Sequence, residues 1–452
     1  MNMARKDDMN EVLHQFLEKH PRAAFVDLVL PDLNGIARGK RIPVDMLAKA
    51  FGAGVNLPAS IFALDITGAT VDATGLVWET GDADHLCRCV PETLQPMPWR
   101  SVPSAQILLT MDDHGSGFFA DPRAIAQRAV ARMKAMGMRP QVAFELEFYL
   151  YGLEDGRPRP LAPGGFPDED TQVYDLDSLD RQQAFFDALH SACASQGLPL
   201  EGTVAEYAPG QFEVNLHYRH DALRAADDAW FLKRLVKGVA QAQGCCATFM
   251  AKPYPALAGS GMHVHVSLAD GQGNNVFARQ PAVLRHALGG LLNTLPEGVA
   301  LFAPHANSYR RFQTASYAPT MPCWGENNRT AALRIPSSEP DALRIEHRFA
   351  GADANPYLVL AAILEGIAFG IEAAMEPPPP ISGNAYASAE GGPAALPGRW
   401  EEALAALAVG ERLRPRLGMD FVDVYCAVKQ QEMARLAAAY HPLEYGWYLD
   451  RA

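Results

Sequence analysis

No apolar run in the 452-residue chain approaches the roughly 18 residues that a membrane-spanning helix needs. The opening residues, MNMARKDDMNEVLHQF, are charged and hold no apolar core, so they do not read as a secretory signal. Seven cysteines (Cys87, Cys89, Cys193, Cys245, Cys246, Cys323 and Cys426) form no C-x-x-C pair and leave an odd one over, which fits reduced thiols in the cytosol better than a disulfide framework. Positive charge is in deficit: 39 Lys plus Arg stand against 52 Asp plus Glu, a formal charge of -13. That balance argues against nucleic acid or an anionic membrane as the main partner. There is no G-x-x-x-x-G-K-[ST] phosphate loop, no kinase-type H-R-D and no internal repeat. These absences point to a soluble cytoplasmic protein.

What is present is enough for a large core: 48% of the residues are hydrophobic, and the length alone suggests about two or three domains. An amphipathic helix is expected over 9–19, then a strand, a PDLNG turn and a second strand. A β-rich stretch runs to about residue 111. Asp121 as N-cap and Pro122 at the first helical position predict a helix ending near Gly137. Next come a strand over 141–150, a loop rich in Gly and Pro, a helix over 178–196, the strand-like QFEVNLHY, a helix over 221–243, the strand GMHVHVSL and a helix over 281–294. A last helix enters through NPY and ends at a proline run, EPPPP. Mixed elements without a regular βαβ rhythm predict an α+β fold.

The chemistry sits in the β-type segments. In FELEFYL, period two puts Glu145 and Glu147 on one face and Leu146 and Phe148 on the other. Two acids in an apolar run need a cation or a raised pKa. Other segments add Glu206 and Glu213 (EYAPGQFEVNL), His263 and His265 on one face of GMHVHVSL, and Glu346 between Arg344 and Arg348 (RIEHRF). Each alone is more simply read as a solvated or core residue. Together, five carboxylates, two histidines and several arginines suit Mg2+ or Mn2+ facing phosphate or carboxylate groups. With Arg310, Arg311, Arg329 and Arg334 nearby in sequence, the set points to metal-bound ATP and phosphoryl transfer.

The ordered motifs E-x-E, PGQ-x-E, GSGMHVH-x-S, NR-x-x-x-x-R-I-P and R-x-E-x-R-F followed by NPYL resemble the glutamine synthetase superfamily over nearly the whole chain. The resemblance implies a small N-terminal β-grasp domain over 1–115 and a catalytic α+β domain over 116–452 with a curved antiparallel sheet. It also implies homo-oligomers of stacked rings, a dodecamer in the family, with active sites between subunits. By position, Glu147, Glu206 and Glu213 would hold the metal beside the amino-acid substrate, and Glu145, His263 and Glu346 the metal facing the nucleotide. His265, Ser267 and Arg344 would contact ATP, and Gly259, Arg311 and Arg348 glutamate. Arg329 and Arg334 would stabilise the transferring phosphoryl group.

Three positions depart from ammonia-using members. Tyr317 stands where a flap glutamate precedes Ala-Pro, Leu57 where an aspartate helps collect ammonium, and Ala258 where an asparagine precedes GSGMH. Losing two carboxylates disfavours a small cation, while a wall of Leu57, Tyr317 and Trp324 suits an organic amine. DLNGIARGK, W-G-x-x-NR and PPPPISGNAY also resemble the γ-glutamylpolyamine branch, and EPPPPISGNAYASAE stands where bacterial glutamine synthetases carry their adenylylated loop. The resemblance therefore implies a ligase joining glutamate to a polyamine such as putrescine, spermidine or spermine, with ethanolamine, monoamines or ammonia as rival substrates. Glu206, Glu339 and Tyr317 are the candidates for accepting the amine's proton.

Overall fold

The structure is a computed structural model and describes residues 3–161, 171–389 and 396–439. Part of the expected Gly/Pro-rich loop (162–170) and Glu390 of EPPPPISGNAYASAE lie outside the described residues.

The PDLNG turn forms because the Asp32 carboxylate accepts the N–H groups of Asn34 and Ile36, both at 2.9 Å, while Gly35 takes the left-handed φ of 73°. It folds strand β1 (Phe25–Pro31) onto β2 (Ala37–Pro43). With β3 (Val55–Pro58), β4 (Asp84–Cys89), β5 (Gln95–Pro96), β6 (Ser104–Asp113) and β7 (Ser116–Gly117) they build the first sheet, ordered β2-β1-β6-β4-β3, with β5 and β7 also paired to β6. Only β1 and β6 among these pairs run parallel.

The second sheet uses β8 (Arg139–Glu154), β9 (Arg157–Pro160), β10 (Leu200–Ala205), β11 (Gln211–Leu216), β12 (Cys246–Thr248), β13 (Met262–Ala269), β14 (Trp324–Glu326), β15 (Leu333–Ile335) and β16 (Ile345–His347). Its order is β10-β11-β8-β13-β16-β15-β14, with β9 and β12 added to β8. Along β8 the burial alternates as the sequence predicts. Val142, Phe144, Leu146 and Phe148 are buried, whereas Glu145 and Glu147 on the opposite face are only half-buried. The mixed helices and antiparallel-rich sheets are the expected α+β class.

Helices back the second sheet. Asp121 and Asp221 cap Pro122–Ala135 and Ala222–Ala242 by accepting backbone N–H groups of the first turn. The helix predicted over 281–294 runs instead from Pro281 to Phe302, with Pro296 inside it. An interior proline ordinarily ends a helix. Here burial against Pro356–Glu372 carries it through: a Cβ on Gly290 would fall 2.3 Å from the Gly366 carbonyl oxygen, so the two backbones touch at glycines. The helix predicted over 178–196 is divided into Leu176–Asp180 and Gln183–Gln196. Trp400–Ala408 and Met419–Ala438, not foreseen, close the C-terminal side. Polar links tie Met419–Ala438, and Asn355 ahead of Pro356–Glu372, to loops of the N-terminal part: Lys429 Nζ donates to Asn34 Oδ1, Arg435 pairs with Asp65, and Asn355 Nδ2 donates to the Asp32 carbonyl. Among the described residues no helix is long and apolar enough to cross a membrane.

Candidate active site

Strand register assembles the site. β8 lies between β11 and β13, so Glu147 is opposite Glu213 and Glu145 is opposite His263. β16 then sets Glu346 opposite His265 on one side and Arg334 on the other. Adjacent rungs of one sheet face thus bring together residues separated by up to about 200 positions in the chain.

Side-chain pairing defines the proton positions. His265 Nε2 lies 2.8 Å from Glu145 Oε1, and Arg344 Nε donates to His265 Nδ1 at 3.2 Å. Because Arg344 can only donate, His265 accepts at Nδ1 and donates through Nε2. His263 Nδ1 is 3.2 Å from the other Glu145 oxygen, which turns its Nε2 toward Glu147 Oε1 at 4.0 Å. Burial pushes the Glu145 carboxyl up, but hydrogen bonds from His263 and His265 outweigh it and hold the group well below the usual range. Glu346 is held down to about 2: burial opposes this, and the Arg348 guanidinium beside it prevails. The opposite happens next door. Burial, reinforced by the Glu147 charge, raises Glu206 to about 8, and burial with the charges of Glu145, Glu147 and Glu206 raises Glu213 well above its ordinary value.

Such crowding suits a cation. Two groups of three donors have ligand atoms within 4.8 Å of one another: Glu145, His263 and Glu346, and Glu147, Glu213 and His263. The first is the predicted nucleotide-side set. The second holds Glu147 and Glu213 of the expected glutamate-side set together with His263, and Glu206, raised by burial and the Glu147 charge, borders it. Carboxylates with a single imidazole are a hard donor set, matching Mg2+ or Mn2+.

The residues expected to bind glutamate adjoin the second group. Arg311 and Arg348 are buried; Arg311 donates to the carbonyls of Phe349 (2.9 Å) and Arg348 (3.3 Å), and Arg348 pairs with Glu346. A Cβ on Gly261 would stand 3.3 Å from His263 Nε2, 3.4 Å from Arg311 Nη2 and 3.5 Å from Glu147 Oε1, so glycine there leaves a small cleft among all three. Gly259 is also pressed close, since a Cβ would meet Arg311 Cγ at 2.7 Å.

Arg334 donates to Glu346 at 2.8 Å and to Asn327 at 2.7 Å, whereas Arg329 is exposed and donates to the Tyr174 hydroxyl at 3.1 Å. Ser267 is half-buried beside Gln141. Of the three amine-wall candidates, Tyr317 is 62% exposed on a loop, and Trp324 is half-buried with its indole N–H donating to the Pro378 carbonyl. Leu57 lies in the other sheet with its side chain buried in the hydrophobic core. Glu339 is exposed.

Two further groups within these motifs support the site. Gln211 donates through Nε2 to the Gly259 carbonyl (2.9 Å) and Glu147 Oε2 (3.4 Å), and the Gly261 N–H donates to Glu147 Oε2 at 2.8 Å. The Gln of PGQFE was the legible signal; a backbone donor has none.

This architecture agrees with what comparison finds. The glutamine synthetase catalytic domain matches residues 119–448, and the chain belongs to that family. It is 40% identical to the gamma-glutamylputrescine synthetase PuuA of Escherichia coli strain K12, covering 99% of this chain and 96% of that protein. It is 32% identical to the glutamate–isopropylamine ligase of a Pseudomonas species, over 97% of each. The solved structure of a GmaS/ADP complex superposes with a TM-score of 0.84 at 29% identity, covering 97% of this chain and 99% of that one.

Proposed function

We propose that the chain is an ATP-dependent glutamate–amine ligase acting on a polyamine, a diamine such as putrescine first. The observation that carries this is Tyr317: an aromatic side chain, 62% exposed, at the position where ammonia-using relatives would carry a carboxylate. The whole-length similarity to a γ-glutamylputrescine synthetase supports it. The similarity to an isopropylamine ligase favours a small monoamine as the second reading.

In this reading Glu145, His263 and Glu346 would hold the metal on the nucleotide side, and Glu147, Glu206 and Glu213 the metal next to glutamate, with His263 between the two groups. Bound divalent metal neutralises charge on the phosphates and on the glutamate γ-carboxylate. Ser267, His265 and Arg344 line the nucleotide end; Arg311, Arg348 and the close-packed Gly259 receive glutamate. A γ-carboxylate oxygen attacks the γ-phosphorus of ATP, ADP leaves, and Arg329 and Arg334 stabilise the charge on the transferring group. The amine arrives as an ammonium ion and passes one proton to a base, for which Glu206, Glu339 and Tyr317 are the candidates; the second proton leaves with the phosphate. Its nitrogen then attacks the γ-carbonyl, the C–N bond forms and phosphate departs. Tyr317 and Trp324 offer faces for the methylene chain and the distal ammonium. Stacked rings of this chain would set its N-terminal sheet, and with it the segment around Leu57, against a neighbour's site.

The test is ATP- and glutamate-dependent phosphate release across ammonium, putrescine, spermidine, spermine, ethanolamine and isopropylamine. Highest kcat/KM with putrescine or a longer polyamine is expected; ammonium as the best substrate overturns the proposal.

A further inference from the structure

After the helix Pro356–Glu372 the chain passes through four prolines at 377–380 and crosses the loops that hold Tyr317, Trp324 and Arg329. Polar tethers fasten the crossing. The Pro378 carbonyl accepts from the Trp324 indole at 2.7 Å, and the Ile381 N–H donates to the Trp324 carbonyl at 2.8 Å. Asn328 Nδ2 donates to the carbonyls of Ile381 (3.1 Å) and Gly383 (2.8 Å), and the Ala385 N–H donates to Thr330 Oγ1 at 3.0 Å. The Tyr386 hydroxyl donates to the Ala318 carbonyl at 2.8 Å. Beneath this strap Ile381 and Ala385 pack with Met321, Cys323 and Ala331 in a hydrophobic cluster separate from the main core. Gly325 completes the close approach, since a Cβ there would fall 2.7 Å from the Ile381 carbonyl oxygen.

The loop so fastened is under local strain. Ala315 (φ 61°) and Tyr317 (φ 57°) both occupy the left-handed region, which side chains with a Cβ disfavour. Such a backbone persists only when its surroundings over-determine it. Within the loop, the Ser316 hydroxyl donates to the Gln313 carbonyl at 2.6 Å, with the Arg311 carbonyl 3.2 Å away sharing its one hydrogen, and accepts from the Ala318 N–H at 3.3 Å. The Tyr317 side chain is too exposed to fix itself by packing. The Tyr386 hydroxyl grips the loop from outside, one residue beyond Tyr317.

We propose that Tyr386 is a positioning residue for the amine: its hydroxyl, carried on the 376–387 strap, sets the loop that presents Tyr317. This rests on the amine-ligase reading above. The Arg311 and Arg348 charges also bear on Tyr386, so glutamate is the control substrate.

Tyr386→Phe keeps the ring and removes the grip. Loss of one hydrogen bond should raise the KM for the preferred amine about five- to tenfold while the KM for glutamate stays within about twofold. Backbone hydrogen exchange over 313–320, measured without substrates, should quicken by a similar factor. Unchanged exchange, an unchanged amine KM, or a glutamate KM rising as much as that of the amine overturns the proposal. Because exchange is read without substrate, a wild-type chain that turns over no organic amine defeats the functional reading while the loop tether is judged separately.

Discussion

The carboxylate–histidine face and the proposed amine wall are held in different ways. On the face, Glu145, Glu147, Glu213, His263 and Glu346 project from four strands whose register is locked by backbone hydrogen bonds. On the wall, Tyr317 sits on a left-handed loop, Trp324 on a three-residue edge strand, and their geometry depends on individual bonds to a strap. Altering the face should therefore change the chemistry and leave the fold intact. Altering the wall should change the amine and leave the chemistry intact. That fits relatives whose names all specify glutamate or a γ-glutamyl product but differ in the amine.

The largest effect expected from breaking this division is at Glu147. Its carboxylate takes part in one three-donor group and accepts from the Gly261 N–H at 2.8 Å. Glu147→Ala should lower ATP- and glutamate-dependent phosphate release about a thousandfold or more with every amine. The melting temperature should hold or rise, because one of several crowded like charges is gone. Near-normal turnover would show that the metal is held elsewhere.

The face was readable in the sequence because it obeys period two: FELEFYL declares which side its acids share, and GMHVHVSL does the same for its histidines. What period two does not specify is which strand comes next. His263 comes up beside Glu147 and Glu213 because β13 adjoins β8, an alignment set by pairing across more than 100 residues. The helix expected over 281–294 runs on past Pro296 to Phe302 for a related reason, since it packs through a glycine contact against a helix some 70 positions away. The strap was quoted as EPPPPISGNAYASAE, but most of its tethers involve backbone groups, which carry no residue signature.

A smaller effect is expected on the wall. Tyr317→Glu restores a carboxylate at the flap position, and kcat/KM for ammonium should rise about three- to tenfold as that for the organic amine falls by a similar factor. The gain is modest because a group 62% exposed attracts a cation through screening solvent. Leu57→Asp is the weaker partner in this test. Leu57 is 4% exposed in the core, and a carboxylate there would lose hydration without a partner, so misfolding would mask any gain. No increase in ammonium use by Tyr317→Glu would mean that the flap acid does not decide the amine.

The smallest effect sharpens the electrostatic half of the comparison. Burial and neighbouring carboxylates raise Glu206 to about 8 and Glu213 well above the ordinary 4.5, so without metal the folded chain retains protons that the unfolded chain has released. Stability from this source is complete below the unfolded value and is lost as pH rises toward about 8. Mg2+ acts in the reverse sense, because it binds the deprotonated carboxylates and replaces the protons. Thermal melts should therefore show a stabilisation by Mg2+ that is small near about pH 5.5 and larger by a few degrees near about pH 8.5. Glu206→Gln removes one of the titrating groups while leaving Glu147, Glu213 and His263, so it should flatten the metal-free pH dependence. An equal Mg2+ shift at both pH values would place the ion away from these carboxylates and break the contrast at its source.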